Sequence, residues 1–123
     1  MRFAIALLMA LTCSPIMAHE LTPTYPELKP SIYDNVLETS IILFNRREDV
    51  LYYEIEVWDE NWNSVPFATA EKIVEVPYLG KKRISVYFRN KDQKRVVYIC
   101  TRSKIIKGES TSVISSNICS KVK

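Results

Sequence analysis

Three kinds of side chain in this sequence could do chemistry: the cysteines Cys13, Cys100 and Cys119, a single histidine, His19, and fourteen carboxylates. Cys100 and Cys119 stand almost symmetrically about Gly108-Glu109-Ser110 in the closing stretch ICTRSKIIKGESTSVISSNICSKVK. That placement suits a cross-strand disulfide. A nucleophile or a metal site would need other partners, and no Ser-His-Asp or Cys-His constellation can be built around a histidine so close to the start. Only Gly80 and Gly108 are glycine, so no phosphate-cradling loop exists. No nucleic-acid-binding motif is present. The carboxylates sit at turns or alternate outward along strands, as solvated side chains do. The expectation is a protein that is not an enzyme and uses neither cofactor nor metal.

The first eighteen residues set the redox compartment. MRFAIALLMALTCSPIMA has a basic Arg2, an apolar run from Phe3 to Leu11, a Pro15 break and Ala18 before His19. These are the three parts of a secretory leader. The apolar run is shorter than the roughly 20 residues a bilayer-spanning helix needs. Residues 1–18 are therefore expected to be a signal peptide and 19–123 one mature domain, periplasmic or secreted, with no transmembrane segment. About a hundred residues suffice for one core but not two. Cys13 leaves with the leader, and the remaining even pair in an oxidising compartment favours a Cys100–Cys119 disulfide.

Cleavage after Ala18 would also make His19 the first residue, where amine and imidazole can chelate copper together. Such a site resembles the histidine brace of exported copper proteins, so a periplasmic copper carrier is one alternative. That brace ordinarily recruits a second histidine, which this chain lacks. A frayed terminal histidine is the plainer expectation.

The elements that would position these groups follow a period of two. In VLYYEIEVW, Leu51, Tyr53, Ile55 and Val57 share one face; in RISVYFR, Ile84, Val86 and Phe88 do. Alternating β-branched and aromatic residues predict half-buried strands over 50–58 and 83–89. TSIILF, residues 39–44, is more continuously apolar and predicts a central strand covered on both faces. KIVEV (72–76) and RVVYICT (95–101) complete the middle set. Residues 19–31 hold three of the six prolines and predict an extended lead-in or edge strand. Asn- and Asp-rich turns separate these runs. About seven short antiparallel strands point to an immunoglobulin-like β-sandwich.

Facing Cys100 with Cys119 fixes the register of a terminal hairpin. Ile105 then opposes Ile114, Thr101 opposes Ile118 and Val97 opposes Val122 on a largely apolar face. Tyr98 with Lys121, Cys100 with Cys119 and Arg102 with Asn117 make a polar face that carries the bridge. Nothing in the cysteine spacing required that segregation, which supports the register. A bridge closing about 20 residues stabilises by about 3 kcal/mol in the chain-entropy account.

Charge divides along the chain. Residues 19–80 carry four basic side chains against twelve acidic, and residues 81–123 carry twelve basic against two acidic. The two parts are expected to attract each other within the fold, with a basic face for an acidic partner as the alternative. Trp58 and Trp62 flank a predicted hairpin, WDENW. They are expected to pack over the sandwich end, with an exposed recognition patch as the alternative.

The order of elements resembles a known family. A proline-containing lead-in is followed by ETSIILFNRRED, YYEIEVWDENWNSVP, VPYLGKKRISVYFRN, VVYICT and a final strand. This is similar to the N-terminal immunoglobulin-like domain of periplasmic pilus chaperones, the PapD-like family. Pro77-Tyr78-Leu79-Gly80-Lys81 echoes that family's turn before its fifth strand, and some members bridge their last two strands with a disulfide. The resemblance implies strand donation: the last strand pairs with an incomplete protein partner or subunit and lends it alternate apolar side chains. Ile114, Ile118 and Val122 have that alternation, and Lys121 matches the last-strand member of the family's basic anchor for a partner's carboxylate. The first strand carries no arginine to match the other member. The expectation is thus an exported, chaperone-like protein-binding domain engaging its partner by edge-strand pairing. The alternative is a structural or adaptor module of a surface appendage or phage particle, for which self-association is expected.

Overall fold

The computed structural model describes residues 18–104 and 115–123. Eight strands follow one another: β1 (Glu20–Thr22), β2 (Lys29–Pro30), β3 (Val36–Phe44), β4 (Tyr52–Trp58), β5 (Ile73–Glu75), β6 (Lys81–Arg89), β7 (Tyr98–Lys104) and β8 (Asn117–Lys121). A single 3-10 turn, Asn90–Asp92, is the helical element among the described residues. The leader expected over 1–18 and the Ile105–Ile114 pair lie outside the described residues, Ala18 apart.

Two antiparallel sheets face each other. One has β3 at its centre, with β1 and β2 along one side and β6 along the other; the second runs β5-β4-β7-β8. The two-residue period explains the layering. Alternate side chains Tyr53, Ile55 and Val57 of β4 meet Ile41 and Leu43 of β3, Val86 and Phe88 of β6, and Ile99 of β7 in one buried core. Each such burial contributes about 1.5–3 kcal/mol relative to exposure. This is the immunoglobulin-like sandwich expected from the pattern.

Several expectations need correction. Leu51 lies just before β4 and is 39% exposed, because the alternation breaks ahead of the strand and Val50 takes the buried place instead. The central strand is covered on one face only: Leu37, Thr39, Ile41 and Leu43 are buried while Ser40, Ile42 and Phe44 are half-exposed. The Arg46 and Lys81 cations lie over the outward Phe44 ring instead. The strand expected over 95–101 starts at Tyr98 and runs to Lys104. Arg89 and Arg95 both bond the buried Asp92 carboxylate, which holds 92–95 as a turn. The lead-in forms two short edge strands rather than one, which brings the total to eight.

Each open side of the sandwich is crossed by a segment that visits both sheets. On one side β1 pairs with β3, then Thr24 and Pro26 accept hydrogen bonds from the Lys121 and Lys123 amides of the β8 end at 3.1 and 3.0 Å, then β2 returns to β3. The Thr22–Pro23 peptide is cis at the crossing. On the other side Ser64 bridges to Trp58, Ala68 bridges to Tyr87 of β6, and β5 returns to β4. These crossings shield edge amides that would otherwise be open to a further strand.

Candidate functional site

The terminal hairpin adopts the register that the cysteines predicted. Tyr98 opposes Lys121, Cys100 opposes Cys119, Thr101 opposes Ile118 and Arg102 opposes Asn117. Cys100 and Cys119 form a disulfide with Cα atoms 4.0 Å apart. Backbone bonds from Val122 N–H to Val97 O and from Ser103 N–H to Ser116 O make the even-numbered residues of β8 the ones bonded to β7. Cys100–Cys119 is therefore a non-hydrogen-bonded pair, where opposing side chains come closest. The odd-numbered residues of β8 turn their amides to the sheet edge.

That edge is only partly open. The Lys121 and Lys123 amides are taken by Thr24 and Pro26, whereas Asn117 and Cys119 have no edge-side backbone partner among the described residues. Of the residues expected to engage a partner, Ile118 and Val122 are half-buried and pack against the chain's own core. Lys121 is exposed on the outer face. Ile114 falls outside the described residues.

His19 is not a frayed end. It is 2% exposed, immediately before β1, with its ring 4.5 Å from that of Tyr53. Nε2 lies 2.7 Å from Thr101 Oγ1 and 3.1 Å from Thr101 O, and Nδ1 lies 3.1 Å from Ser116 Oγ. These partners assign the tautomer: Nε2–H donates to the Thr101 carbonyl, and Nδ1 accepts from Ser116. Burial, with the nearby Arg47 cation adding to it, pulls the imidazole down to about 4, while the Thr101 carbonyl opposes the shift. Copper at Nδ1 would have to displace Ser116, so the brace reading gains nothing from this geometry. Among the described residues no group of three His, Cys, Asp or Glu side chains could hold a metal.

The histidine belongs to a larger polar cluster that the sequence did not announce. Asn45, fully buried, donates from Nδ2 to Val50 O and Val76 O at 2.7 and 2.8 Å. Its Oδ1 accepts the Arg47 amide and the Tyr53 hydroxyl. Its own backbone bonds Gly80 O and Leu79 N–H, so the Pro77–Gly80 turn closes directly on it. Leu79 sits in the left-handed region there, and a Cβ at Gly80 would lie 2.9 Å from Pro77 O. Asn45 fills all four of its side-chain hydrogen-bonding positions. One signal was present: an uncharged polar residue directly after the apolar run SIILF.

Part of the divided charge is paired inside the fold. Glu71–Lys82, Glu56–Arg102, Glu54–Lys104 and Glu27–Lys123 each join an acidic residue of the first part to a basic residue of the second. The tryptophans separate: Trp58 is half-buried on the outer face of its sheet, and Trp62 is 53% exposed.

Searches for a matching family model and for a similar curated protein each find nothing. Among solved structures, the chain is similar to the ASH / PapD-like domain of human CEP192, PapD-like domain 7. The likeness covers 85% of this chain and 81% of that one, with a TM-score of 0.52 and 11% identity. The fold is PapD-like. Within it stand the two features singled out in the sequence, the Pro77–Lys81 turn leading into β6 and a bridge between the last two strands. No helix among the described residues is long and apolar enough to cross a membrane.

Proposed function

We propose that the chain is an exported, disulfide-bonded interaction domain that binds a protein partner by adding a strand along β8, in a chaperone-like manner. Residues 1–18 act as its signal peptide, and residues 19–123 form the mature periplasmic or secreted domain. The observation that carries this reading is the short open edge at Asn117 and Cys119, beside an edge the chain has already closed for itself at Lys121 and Lys123. Main-chain bonding to that opening supplies affinity, and side chains on either face supply selection. Ile118 and Val122 hold the border of the core, so a partner's alternate apolar residues would extend their row. Ile114 would continue it, and Lys121 would anchor an acidic group or chain terminus of the partner.

The test uses the full chain in an export-competent host, with a photo-crosslinker at residue 121 and recovery of adducts. Proline at an edge position whose amide points outward is tolerated by the sheet but removes the donor a partner needs. Asn117→Pro should therefore abolish the adducts while the purified protein keeps its disulfide. Undiminished adducts would sink the edge-pairing reading. N-terminal sequencing of the exported protein should begin at His19; a retained leader would refute the assignment of 1–18.

A further inference from the structure

The loop Asp59–Asn63, at the end of the sandwich away from His19, presents a flat aromatic face. Asp59 Oδ1 accepts the amides of Asn61 and Asn63 at 2.9 and 2.8 Å, and the Asp59 backbone bonds Trp62 N–H and Asn63 O. These bonds hold Trp62 at φ 62°, in the left-handed region. A residue with a bulky side chain adopts that conformation at a cost of about 1–2 kcal/mol. The indole lies on the Tyr98 ring with centroids 4.4 Å apart and planes within 1°. Stacking occupies one face of the indole, and the residue as a whole stays 53% exposed. The ordinary reason for placing a tryptophan, burial, is thus only half satisfied.

The surroundings add uncommitted hydrogen-bonding groups. The side-chain amides of Asn61 and Asn63 make no hydrogen bond among the described residues. Lys121 stands in register beside Tyr98 on the same outer face and makes no ion pair there. A rigid apolar plane with a few polar groups at its rim has the composition of a small-ligand site.

The shape of the plane selects the ligand class. Peptides of polyproline type dock in grooves between aromatic rings, and quaternary cations need a cage of several faces. Two parallel rings offer a single flat face. A nucleobase could stack on it, but Asp59 and Glu60 beside it would repel the phosphates. A pyranose ring with equatorial substituents has an apolar C–H face and a rim of hydroxyls, and it meets both halves of the surface. We propose that Trp62, stacked on Tyr98, is a saccharide-binding platform for a β-linked pyranoside. The sugar's C–H face lies on the free side of the indole, and Asn61, Asn63 and Lys121 bond its hydroxyls. This site shares Lys121 with the proposed partner edge of β8, but it rests on Trp62, Tyr98, Asn61 and Asn63 and does not depend on the partner-binding reading.

The probes are a β-1,4-linked N-acetylglucosamine tetramer and the matching glucose tetramer. Trp58 and Trp62 are the two tryptophans of the chain, and the Trp58 indole nitrogen is buried without a hydrogen-bond partner. A Trp58→Phe background therefore breaks no hydrogen bond and leaves Trp62 as the sole tryptophan emitter, excited selectively over the tyrosines at the red edge. Titration should give a saturable change in emission with at least one probe. Trp62→Ala should weaken binding at least tenfold, followed through a Tyr98 or Lys121 resonance, with the unfolding midpoint only modestly lowered. Trp62→Phe should restore part of the affinity. No saturable change with either probe would overturn the proposal. So would undiminished binding by Trp62→Ala, or saturation by a proline-rich decapeptide where both saccharides fail.

Discussion

The two ends of the sandwich use the same strands in opposite ways. At one end of β4 and β7, Tyr53, Thr101 and Ser103 turn inward and meet His19, Asn45, Arg47 and Ser116 in a closed set of bonds. At the other end, Trp58 and Tyr98 turn outward, and the loop from Trp58 to Ser64 lays Trp62 on the Tyr98 ring. The first end is filled from distant parts of the chain, so its groups are committed to the fold. The second is built from one hairpin and a neighbouring strand, and the side-chain amides of its Asn61 and Asn63 are unspent. Closure at one end gives stability, and openness at the other leaves groups for a ligand. Variants at the two ends should separate these roles.

The largest effect is expected at Asn45. Asn45→Ala leaves two carbonyls, one amide and the Tyr53 hydroxyl without their partner in a buried site. Broken buried networks belong to the small class of severe substitutions, and a loss of about 4 kcal/mol is expected by urea unfolding. Tyr53→Phe removes a single hydroxyl from the same set and should lose about 1 kcal/mol. Equal losses from the two would show that the cluster does not act through Asn45.

Next comes the bridge. Cys100→Ser with Cys119→Ser opens a loop of 19 residues' separation, and about 3 kcal/mol should be lost in the chain-entropy account. Because β8 also loses its tether to β7, hydrogen exchange should accelerate at Ile118 and Ser120 before it does at Ile41. Uniform acceleration would mean that the bridge stabilises the whole sandwich and not its edge.

These two variants also mark how far the sequence could be read. Cys100 and Cys119 were legible because a hairpin is local: one pairing fixes every other, and the apolar face checks it. The alternation in β4 and β6 was legible for the same reason. Asn45 was not, because its bonds come from residues 47, 50, 53 and 76, which only tertiary folding brings together. The prolines of 19–31 signalled an edge but not that the segment would cross from β3 to the end of β8. WDENW signalled a hairpin, yet left open which tryptophan would be covered. Which one is covered depends on Tyr98, thirty-six residues beyond Trp62.

A smaller effect, visible only with pH, is expected from His19. Its imidazole is held at about 4 in the folded protein against 6.5 for the exposed side chain. The unfolded chain therefore takes up the proton first, and stability falls as pH drops from about 6.5 to about 4. Asp49 and Asp92, held below the ordinary carboxylate range by Arg47 and by Arg89 with Arg95, add a separate loss that begins only at lower pH. Urea midpoints of the wild type should decline across the upper window. His19→Gln, which keeps an amide near Thr101 and Ser116, should start lower at neutral pH and stay flat there. A parallel decline in both proteins would assign the upper window to another group.

The smallest effect on stability is expected at the exposed end, and this is the sharpest check on the comparison. Trp62→Ala removes one stacked ring and relieves none of the left-handed backbone, since alanine also has a Cβ. The ring contact is worth about 0.5–1.5 kcal/mol beyond its buried area, and half the indole is already in water. The loss in unfolding free energy should therefore stay near 1 kcal/mol, well below that of Asn45→Ala. Trp62→Gly separates ring from backbone: glycine accepts φ 62° without strain, so it should be no less stable than alanine. If Trp62→Ala instead matched Asn45→Ala, the indole would be a structural cover for Tyr98. The two ends would then differ in chemistry but not in role.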